Sequence, residues 1–307
     1  MATRLDLALG ILNGTVGDYL ARTANPLATP MECIHAGRPL RLDRAALAAA
    51  LAPVTGKVVV LIHGLMGTEA HWAFPAGGDY GSMLAQDLGF TPVYLRYNTG
   101  QPISENGVAL NALLDELIGA WPVESTELLL LGHSMGGLVA RAACHVASTS
   151  GVSRWLPRVR RAIYVGTPHR GAPMERVGRV IARVLNTIDD PYARLIGQLA
   201  DLRSDGIKDL GDADLRPEDR ARRTHAIGLR DARHPVPLLA GIDHFLIAGT
   251  VSADPLLAAL FGDIVVPVAS ATNGLLAARI IPRVAHQPLA HHPEVYTAIR
   301  ERCEEPS

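Results

Sequence analysis

The chain has 307 residues, of which 48% are hydrophobic and 19% are charged, and its formal net charge is −1. This length and composition allow one large buried core, and the near-neutral charge without a block of like charges excludes a strongly basic nucleic-acid-binding surface. The three cysteines lie far apart without a Cys-x-x-Cys pair, which argues against a zinc or redox motif, and their odd number argues against a disulfide framework, with a single bridge as the alternative.

Residues 1–56 are predicted to form an N-terminal helical extension. Residues 5–22 carry Leu5, Leu9, Leu12, Val16 and Leu20 at helical spacing, which is typical of an amphipathic helix. We expect this helix to pack on the core or on a second copy of the chain, with a lipid surface as the alternative. A second short helix is predicted at 41–52, and only a faint hairpin pattern stands between them, near 31–41.

The N-terminus does not read as an export signal. Asp6, Asn13 and Asp18 interrupt the apolar run that a signal peptide needs, and no run approaches the roughly 18 apolar residues of a membrane span. We therefore expect a cytoplasmic protein without stable membrane insertion. A secreted protein whose signal has been removed is the alternative.

From residue 58 onward, short apolar runs alternate with helical patterns. Strands are predicted at 58–62, 93–97, 128–131, 162–165, 245–248 and 279–281, and helices at 104–120, at 138–146 and from about 293. The uninterrupted apolar run from Val58 to Ile62 is typical of a strand buried on both faces. The alternation predicts an α/β fold with a mostly parallel central sheet and helices on both faces.

Residues 132–136 read Gly-His-Ser-Met-Gly and lie between a predicted strand and a predicted helix. A turn this tight forces a strained backbone on Ser134, and glycines two residues to either side are needed because a Cβ there would clash across the turn. The serine hydroxyl would then stand clear of the sheet edge with a helix N-terminus behind it. This is the pattern of a nucleophile elbow; a chemically inert turn of small residues is the alternative.

Residues 171–237 interrupt the alternation of strands and helices. Two amphipathic helical segments, 177–185 and 192–202, precede a charged, glycine-punctuated stretch from Asp205 to Arg233. We find no internal repeat and no low-complexity linker, so we predict a single domain over 1–307 with 171–237 inserted as a helical cap. Its place in the chain, after the serine and before the late strands, predicts that it covers the mouth of the site.

A serine hydroxyl needs a histidine to accept its proton and a carboxylate to orient that histidine. In sheets with a nucleophile elbow these residues follow the serine in the order acid, then histidine. Asp263 is the best acid because it follows the strand 245–248 in a loop after a glycine. Asp243 precedes its strand, at the wrong end of the sheet, and Asp254 precedes a proline and resembles a helix cap.

His286 is the best candidate for the base, since it follows the strand 279–281 in a loop before the last helix. His291 and His292 are its rivals, but they adjoin Pro293 at the start of that helix. Two further histidines, His63 and His133, are predicted to have structural roles beside the strands that carry them.

The intermediate of an acyl transfer needs hydrogen-bond donors for its oxyanion. The backbone N–H groups of Met135, directly after the serine, and of Leu65, in the loop after the first strong strand, are the predicted donors. Three apolar side chains are candidate walls for a substrate: Met66, Trp72 and Leu138. The 12 histidines form no His-Glu-x-x-His or comparable cluster, so we expect no metal and no other cofactor.

These motifs resemble the α/β-hydrolase superfamily, and within it the bacterial esterases and lipases related to the PGAP1-like (GPI inositol-deacylase-like) group. The likeness runs from about residue 57 to the C-terminus. It rests on residues 63–67 (His-Gly-Leu-Met-Gly), 132–137, 166–173 (Gly-Thr-Pro-His-Arg-Gly-Ala-Pro) and 262–267 (Gly-Asp-Ile-Val-Val-Pro). The stretch from His286 to Tyr296 is similar to the family's histidine loop and last helix.

The resemblance implies a carboxylic ester hydrolase that uses Ser134, Asp263 and His286 through an acyl-enzyme. Its expected substrate is a small-molecule or lipid-like ester. Thioester cleavage or acyl transfer with the same three residues is an alternative, and a binding protein that keeps an inactive elbow is a remote one. The superfamily usually opens with two further strands, for which the sequence offers only the hairpin pattern near 31–41.

Overall fold

The centre of the fold is an eight-stranded sheet. A computed structural model of the chain describes residues 4–171, 204–218, 236–252, 263, 266–272 and 278–305. The strands are β1 (Glu32–His35), β2 (Arg38–Pro39), β3 (Lys57–Ile62), β4 (Thr91–Arg96), β5 (Glu127–His133), β6 (Val159–Val165), β7 (Asp243–Thr250) and β8 (Ala278–Pro282). Their order is β2-β1-β4-β3-β5-β6-β7-β8. The six strands from β3 to β8 are parallel to one another, which confirms the predicted mostly parallel sheet.

The helices cover both faces of this sheet. They are α1 (Arg4–Arg22), α2 (Arg44–Ala50), α3 (Tyr80–Leu88), α4 (Ile103–Gly119), α5 (Met135–Ser150), α6 (Asp205–Asp212), α7 (Val268–Ala271) and α8 (Pro293–Glu304). Short 3-10 helices lie at Glu69–Trp72, Leu156–Arg158 and Gln287–His291.

Alternation along the strands divides the core into two hydrophobic clusters. Val58 and Val60 point into the cluster that contains the buried faces of α4 and α5, whereas Val59 and Leu61 point into the cluster of α3 and α8. All four valine and leucine side chains are fully buried. Strands covered on both faces require apolar residues at every position, which is why β3 carries no polar residue after Lys57.

The N-terminal residues form both the predicted helix and the hairpin. β1 pairs antiparallel with β2 and with β4, so the hairpin extends the sheet at one edge. α1 lies against the loop that follows β3, where a Cβ added to Gly14 would approach Met66 Cα to 3.1 Å. Leu5 and Tyr19 are exposed on its other side. The expected contact with a second copy of the chain stays a prediction.

Apart from Gly171 at its start, the described part of the stretch 171–237 consists of the segments 204–218 and 236–237, so most of the predicted cap lies outside the described residues. The first of these segments contains α6, which the charged sequence did not indicate. Ile207 is fully buried in the cluster of α4 and α5. The Asp209 carboxylate accepts a hydrogen bond from the Ile103 N–H at 3.0 Å, at the start of α4. This part of the inserted stretch is therefore fixed to the body of the domain.

None of the helices in the described ranges combines the length and the apolar character needed to cross a membrane.

Candidate active site

Ser134 lies at a sharp turn between the end of β5 and the start of α5. Its backbone has φ 52° and ψ −124°, a left-handed region that a residue with a Cβ rarely adopts. The flanking glycines make the turn sterically possible, since a Cβ on Gly132 would lie 2.6 Å from Gly137 Cα and one on Gly136 would lie 2.6 Å from the His63 carbonyl oxygen. The Ser134 N–H donates to the Val165 carbonyl oxygen at 2.8 Å, which ties the turn to β6.

The side chains of Ser134, His286 and Asp263 form one series of hydrogen bonds. His286 Nε2 lies 2.9 Å from Ser134 Oγ, and His286 Nδ1 lies 2.8 Å from Asp263 Oδ2. The three residues are 6%, 3% and 1% exposed, respectively. Because the Asp263 carboxylate only accepts, it favours a proton on Nδ1 and leaves Nε2 free to accept the serine proton.

Asp263 comes after β7 in the chain and His286 comes after β8, and the two side chains meet at the carboxyl edge of the sheet. The other Asp263 oxygen, Oδ1, accepts from the Val266 N–H at 2.7 Å. Asp243, the rival acid, lies at the first residue of β7, where Arg161 Nε is 3.5 Å away and Arg302 also bonds to it. Asp243 is therefore a structural ion-pair partner at the amino edge of the sheet, and Asp254 lies outside the described residues.

The rival histidines have other surroundings. His291 ends the 3-10 helix Gln287–His291, and its ring packs edge-on to Phe74 with centroids 6.4 Å apart. His292 is the N-cap of α8, where its Nδ1 accepts from the Glu294 N–H at 3.3 Å. His286 is thus the histidine of this loop that contacts both Ser134 and Asp263.

The loop after β3 approaches the serine closely. A Cβ on Gly64 would lie 3.0 Å from Ser134 Cβ. In this loop the Met66 N–H donates to Thr99 Oγ1 at 3.0 Å and the Gly67 N–H donates to the Gly64 carbonyl oxygen at 3.1 Å. No hydrogen bond to a described residue is found for the Leu65 N–H or for the Gly64 N–H, so the Leu65 amide is one of those in this loop that are open to a ligand.

Met135, the other predicted donor, is the first residue of α5. The first amides of a helix lack an intrahelical acceptor and lie at the positive end of its dipole. An oxygen anion beside Ser134 would therefore meet a helix N-terminus on one side and the loop that carries Leu65 on the other.

Two further histidines support the strand ends, as the sequence suggested for both. His63 Nδ1 lies 2.9 Å from the Gly64 carbonyl oxygen, and its ring stacks on Tyr97 with centroids 4.5 Å apart. Burial lowers the pKa of His63 to about 4. His133 Nε2 lies 3.1 Å from the His286 carbonyl oxygen, and burial lowers the pKa of His133 well below its ordinary value.

The sequence did not indicate His71, which lies in the 3-10 helix Glu69–Trp72. Its Nε2 is 2.9 Å from His133 Nδ1. The two histidines are 62 positions apart in the chain, and no short motif contains His71, so only the fold brings this pair together.

The three candidate wall residues do not form one surface. Met66 and Leu138 belong to the cluster of α4 and α5. Trp72 belongs to the cluster of α3 and α8, on the other face of the sheet, where its ring packs against Tyr80 with centroids 5.9 Å apart. Trp72 and Leu138 are fully buried.

Within the described ranges, no group of three or more histidine, cysteine, aspartate or glutamate side chains is arranged to hold a metal ion. The chemistry that the arrangement offers is proton transfer from Ser134 Oγ to His286 Nε2, with the resulting imidazolium facing the Asp263 carboxylate.

Comparison with known proteins supports the α/β fold and the assignment to a hydrolase family. Residues 59–299 match the alpha/beta hydrolase family. The mature lipase BlEst2 of Bacillus licheniformis is 19% identical, with a TM-score of 0.52 over 80% of this chain and 91% of that chain. Its propeptide form is 17% identical, with a TM-score of 0.52 over 82% and 51% of the two chains.

A thermophilic esterase from Thermogutta terrifontis is 18% identical, with a TM-score of 0.45 over 81% of this chain and 90% of that chain. No curated protein has significant sequence similarity to the chain. The family match covers well over half of the sequence and agrees with the sheet order and the elbow. The chain therefore belongs to the alpha/beta hydrolase family.

Proposed function

We propose that this protein is a serine hydrolase that cleaves carboxylic esters through Ser134, His286 and Asp263. The observation that carries the proposal is the continuous hydrogen bonding from Ser134 Oγ through the His286 ring to Asp263 Oδ2, at 2.9 and 2.8 Å. The left-handed backbone of Ser134 supports it, because strain of this kind is typical of a nucleophile elbow.

In the first half of the reaction, Ser134 Oγ attacks the carbonyl carbon while its proton passes to His286 Nε2. The tetrahedral intermediate then collapses, and the carbon–oxygen bond to the alcohol breaks. His286 gives its proton to the departing alkoxide. In the second half, water attacks the acyl-enzyme with His286 again accepting the proton, and the acid leaves as Ser134 regains its hydrogen.

The oxyanion of each intermediate is bound by the backbone N–H groups of Leu65 and Met135 in this proposal. One such donor contributes roughly 3 kcal/mol to stabilising the transition state. The Leu65 amide, which is bonded to none of the described residues, and the position of Met135 at the start of α5 support this pair of donors.

The substrate is proposed to be a small-molecule or lipid-like ester, and the protein is proposed to act in the cytoplasm. The four motifs at 63–67, 132–137, 166–173 and 262–267 support kinship with the PGAP1-like group. Thioester cleavage or acyl transfer would use the same three side chains, since only the leaving group or the acceptor differs. The substrate test therefore includes both chemistries.

Hydrolysis of p-nitrophenyl esters from acetyl to palmitoyl, and of acyl thioesters of the same chain lengths, tests the proposal in the wild type beside Ser134→Ala. Ser148→Ala, on the same helix, is the matched control. We expect turnover that Ser134→Ala abolishes and Ser148→Ala retains. Turnover by Ser134→Ala would exclude Ser134 as the nucleophile, and turnover of thioesters alone would replace the ester proposal by the thioester one.

A further inference from the structure

We propose that His133 and His71 are positioning residues that hold the base His286 at hydrogen-bonding distance from Ser134. The inference deepens the proposed function and rests on it. A second series of hydrogen bonds runs from His71 through His133 to the main chain of His286. In this inference the series supports the catalytic histidine.

The series consists of two contacts behind the elbow. His71 Nε2 lies 2.9 Å from His133 Nδ1, and His133 Nε2 lies 3.1 Å from the His286 carbonyl oxygen. The ring centroids of His71 and His133 are 4.6 Å apart, and those of His133 and His286 are 5.0 Å apart. The three imidazoles therefore stand side by side, and the middle one belongs to the residue directly before Ser134.

The protons of this series have one consistent arrangement. A carbonyl oxygen only accepts, so His133 must carry its proton on Nε2 and donate it to the His286 carbonyl. His133 Nδ1 is then an acceptor, and His71 must donate to it from Nε2. The His71 ring thus selects the tautomer of His133 that can bind His286, in the way that a second group orients many functional histidines.

The surroundings keep both rings neutral and in place. Burial lowers the pKa of His71 to about 3 and that of His133 well below its ordinary value. The Trp72 ring packs edge-on to His133 with centroids 6.3 Å apart. His71 lies in the 3-10 helix Glu69–Trp72, whose first turn is capped by the Thr68 side chain. His133, which donates to the His286 carbonyl, is therefore held between the Trp72 ring and the His71 ring.

His286 is consequently held at three points. Its ring bonds to Asp263, its N–H donates to the Asp263 carbonyl oxygen at 3.1 Å, and its carbonyl accepts from His133. The same carbonyl also accepts from the Leu289 N–H at 3.3 Å. Because His133 is covalently joined to Ser134, the contact makes the base follow the nucleophile, which keeps the distance between Oγ and Nε2 short.

Two substitutions of His133 separate positioning from packing. His133→Phe keeps a flat ring but removes the donor, whereas the amide nitrogen of His133→Gln reaches the place of Nε2 and can still donate to His286. We expect kcat to fall about 5- to 10-fold in His133→Phe, as for the loss of one hydrogen bond, with KM within about twofold of wild type. His133→Gln should recover most of kcat.

The His286 Nδ1–H that faces Asp263 should give a low-field proton NMR signal. This signal reports on the position of the His286 ring in the absence of substrate. We expect this signal to broaden in His133→Phe and to remain sharp in His133→Gln. His244→Phe is the control, since His244 is a half-buried histidine with two hydrogen bonds, to Tyr164 and Leu239, outside the series. It should change neither kcat nor the signal.

His71→Phe provides a second route if His133→Phe does not fold. Without His71 the tautomer of His133 is favoured by the His286 carbonyl alone, so kcat should fall and the signal should broaden, while His71→Gln should retain both. Equal loss in the phenylalanine and glutamine variants, or wild-type kcat and signal in a folded phenylalanine variant, would overturn the inference. A wild type that hydrolyses no ester or thioester would instead overturn the proposed function, and the NMR signal would still test the positioning.

Discussion

Asp263 and His286 are joined by two hydrogen bonds, one between side chains and one between main chains. Asp263 Oδ2 lies 2.8 Å from His286 Nδ1, and the His286 N–H donates to the Asp263 carbonyl oxygen at 3.1 Å. The main-chain bond thereby joins the same two residues whose side chains orient the imidazole. The position of the His286 ring therefore depends on the position of Asp263 through both bonds.

Asp263→Asn should lower kcat for ester hydrolysis by about 10⁴-fold. The amide oxygen can replace Oδ1 as acceptor of the Val266 N–H, which leaves the amide nitrogen to donate to His286 Nδ1. The proton then moves to Nε2, where it blocks acceptance of the serine proton. Steady-state kinetics beside Asp243→Asn, an ion-pair variant expected to lose stability and to keep kcat, test this. A larger loss of kcat in Asp243→Asn would contradict the assignment of the acid.

Leu65→Ala should leave kcat within about threefold of wild type, because only the backbone N–H of residue 65 is proposed to bind the oxyanion. Leu65→Pro, which removes that N–H, should lower kcat by about 10²- to 10³-fold. Circular dichroism of both variants checks that the fold is retained. A large loss in Leu65→Ala would show that the side chain, rather than the amide, is needed.

Gly136→Ala should destabilise the elbow far more than Gly151→Ala. The new Cβ at residue 136 would lie 2.6 Å from the His63 carbonyl oxygen, in the loop that faces the serine, so backbone must move. Gly151, at the other end of α5, has open space around its Cβ position and only a positive φ to accommodate, at a cost of about 1 kcal/mol. Urea unfolding and kcat measurements compare the two variants. Equal losses of stability and of kcat in both would contradict this prediction.

Acid should destabilise the protein through its buried histidines. The pKa of His63 is lowered by burial to about 4 and that of His71 to about 3, from an ordinary value of 6.5. Between these values the unfolded chain binds a proton that the folded chain does not, so stability is complete above about pH 6.5 and falls as the pH decreases toward 4. Each such histidine contributes a slope of about 1.4 kcal/mol per pH unit.

Urea unfolding of wild type and of His63→Gln, at pH 7 and pH 5, measures this effect. The difference in unfolding free energy between the two pH values should be smaller in the variant, which lacks one titrating ring. The same pH dependence in both proteins would mean that His63 is not the buried neutral group described above.

Local patterns predicted the sheet well where every residue of a strand is apolar. The predicted segments 58–62 and 128–131 differ from β3 and β5 by a few terminal residues, because the strands continue into polar ends such as Glu127 and His133. α6 was not predicted, since its charged, glycine-containing sequence hides the few apolar positions that it buries. The hairpin of β1 and β2 was faint because a strand of two residues has no readable period.

For the site, sequence and structure contribute different information. The elbow is a local motif, so Ser134 was predicted from its own neighbours. Asp263 and His286 were selected by their order and by the strands they follow, and the hydrogen bonds between them appear only in the fold. His71 is 62 residues from its partner His133 and lies in no sequence motif. Thr99 contacts the loop at Met66 from 33 residues away in the chain. Such contacts depend on tertiary packing alone.

Reaction with a fluorophosphonate, followed by mass spectrometry of the peptides, is the most direct test of whether Ser134 is an activated nucleophile. The reagent bonds covalently to a serine oxygen only when a base removes its proton. We expect one adduct, located on Ser134, and none in Ser134→Ala or after heat denaturation. An adduct on a different residue, or a folded wild-type protein without any adduct, would contradict the assignment of Ser134 as an activated nucleophile.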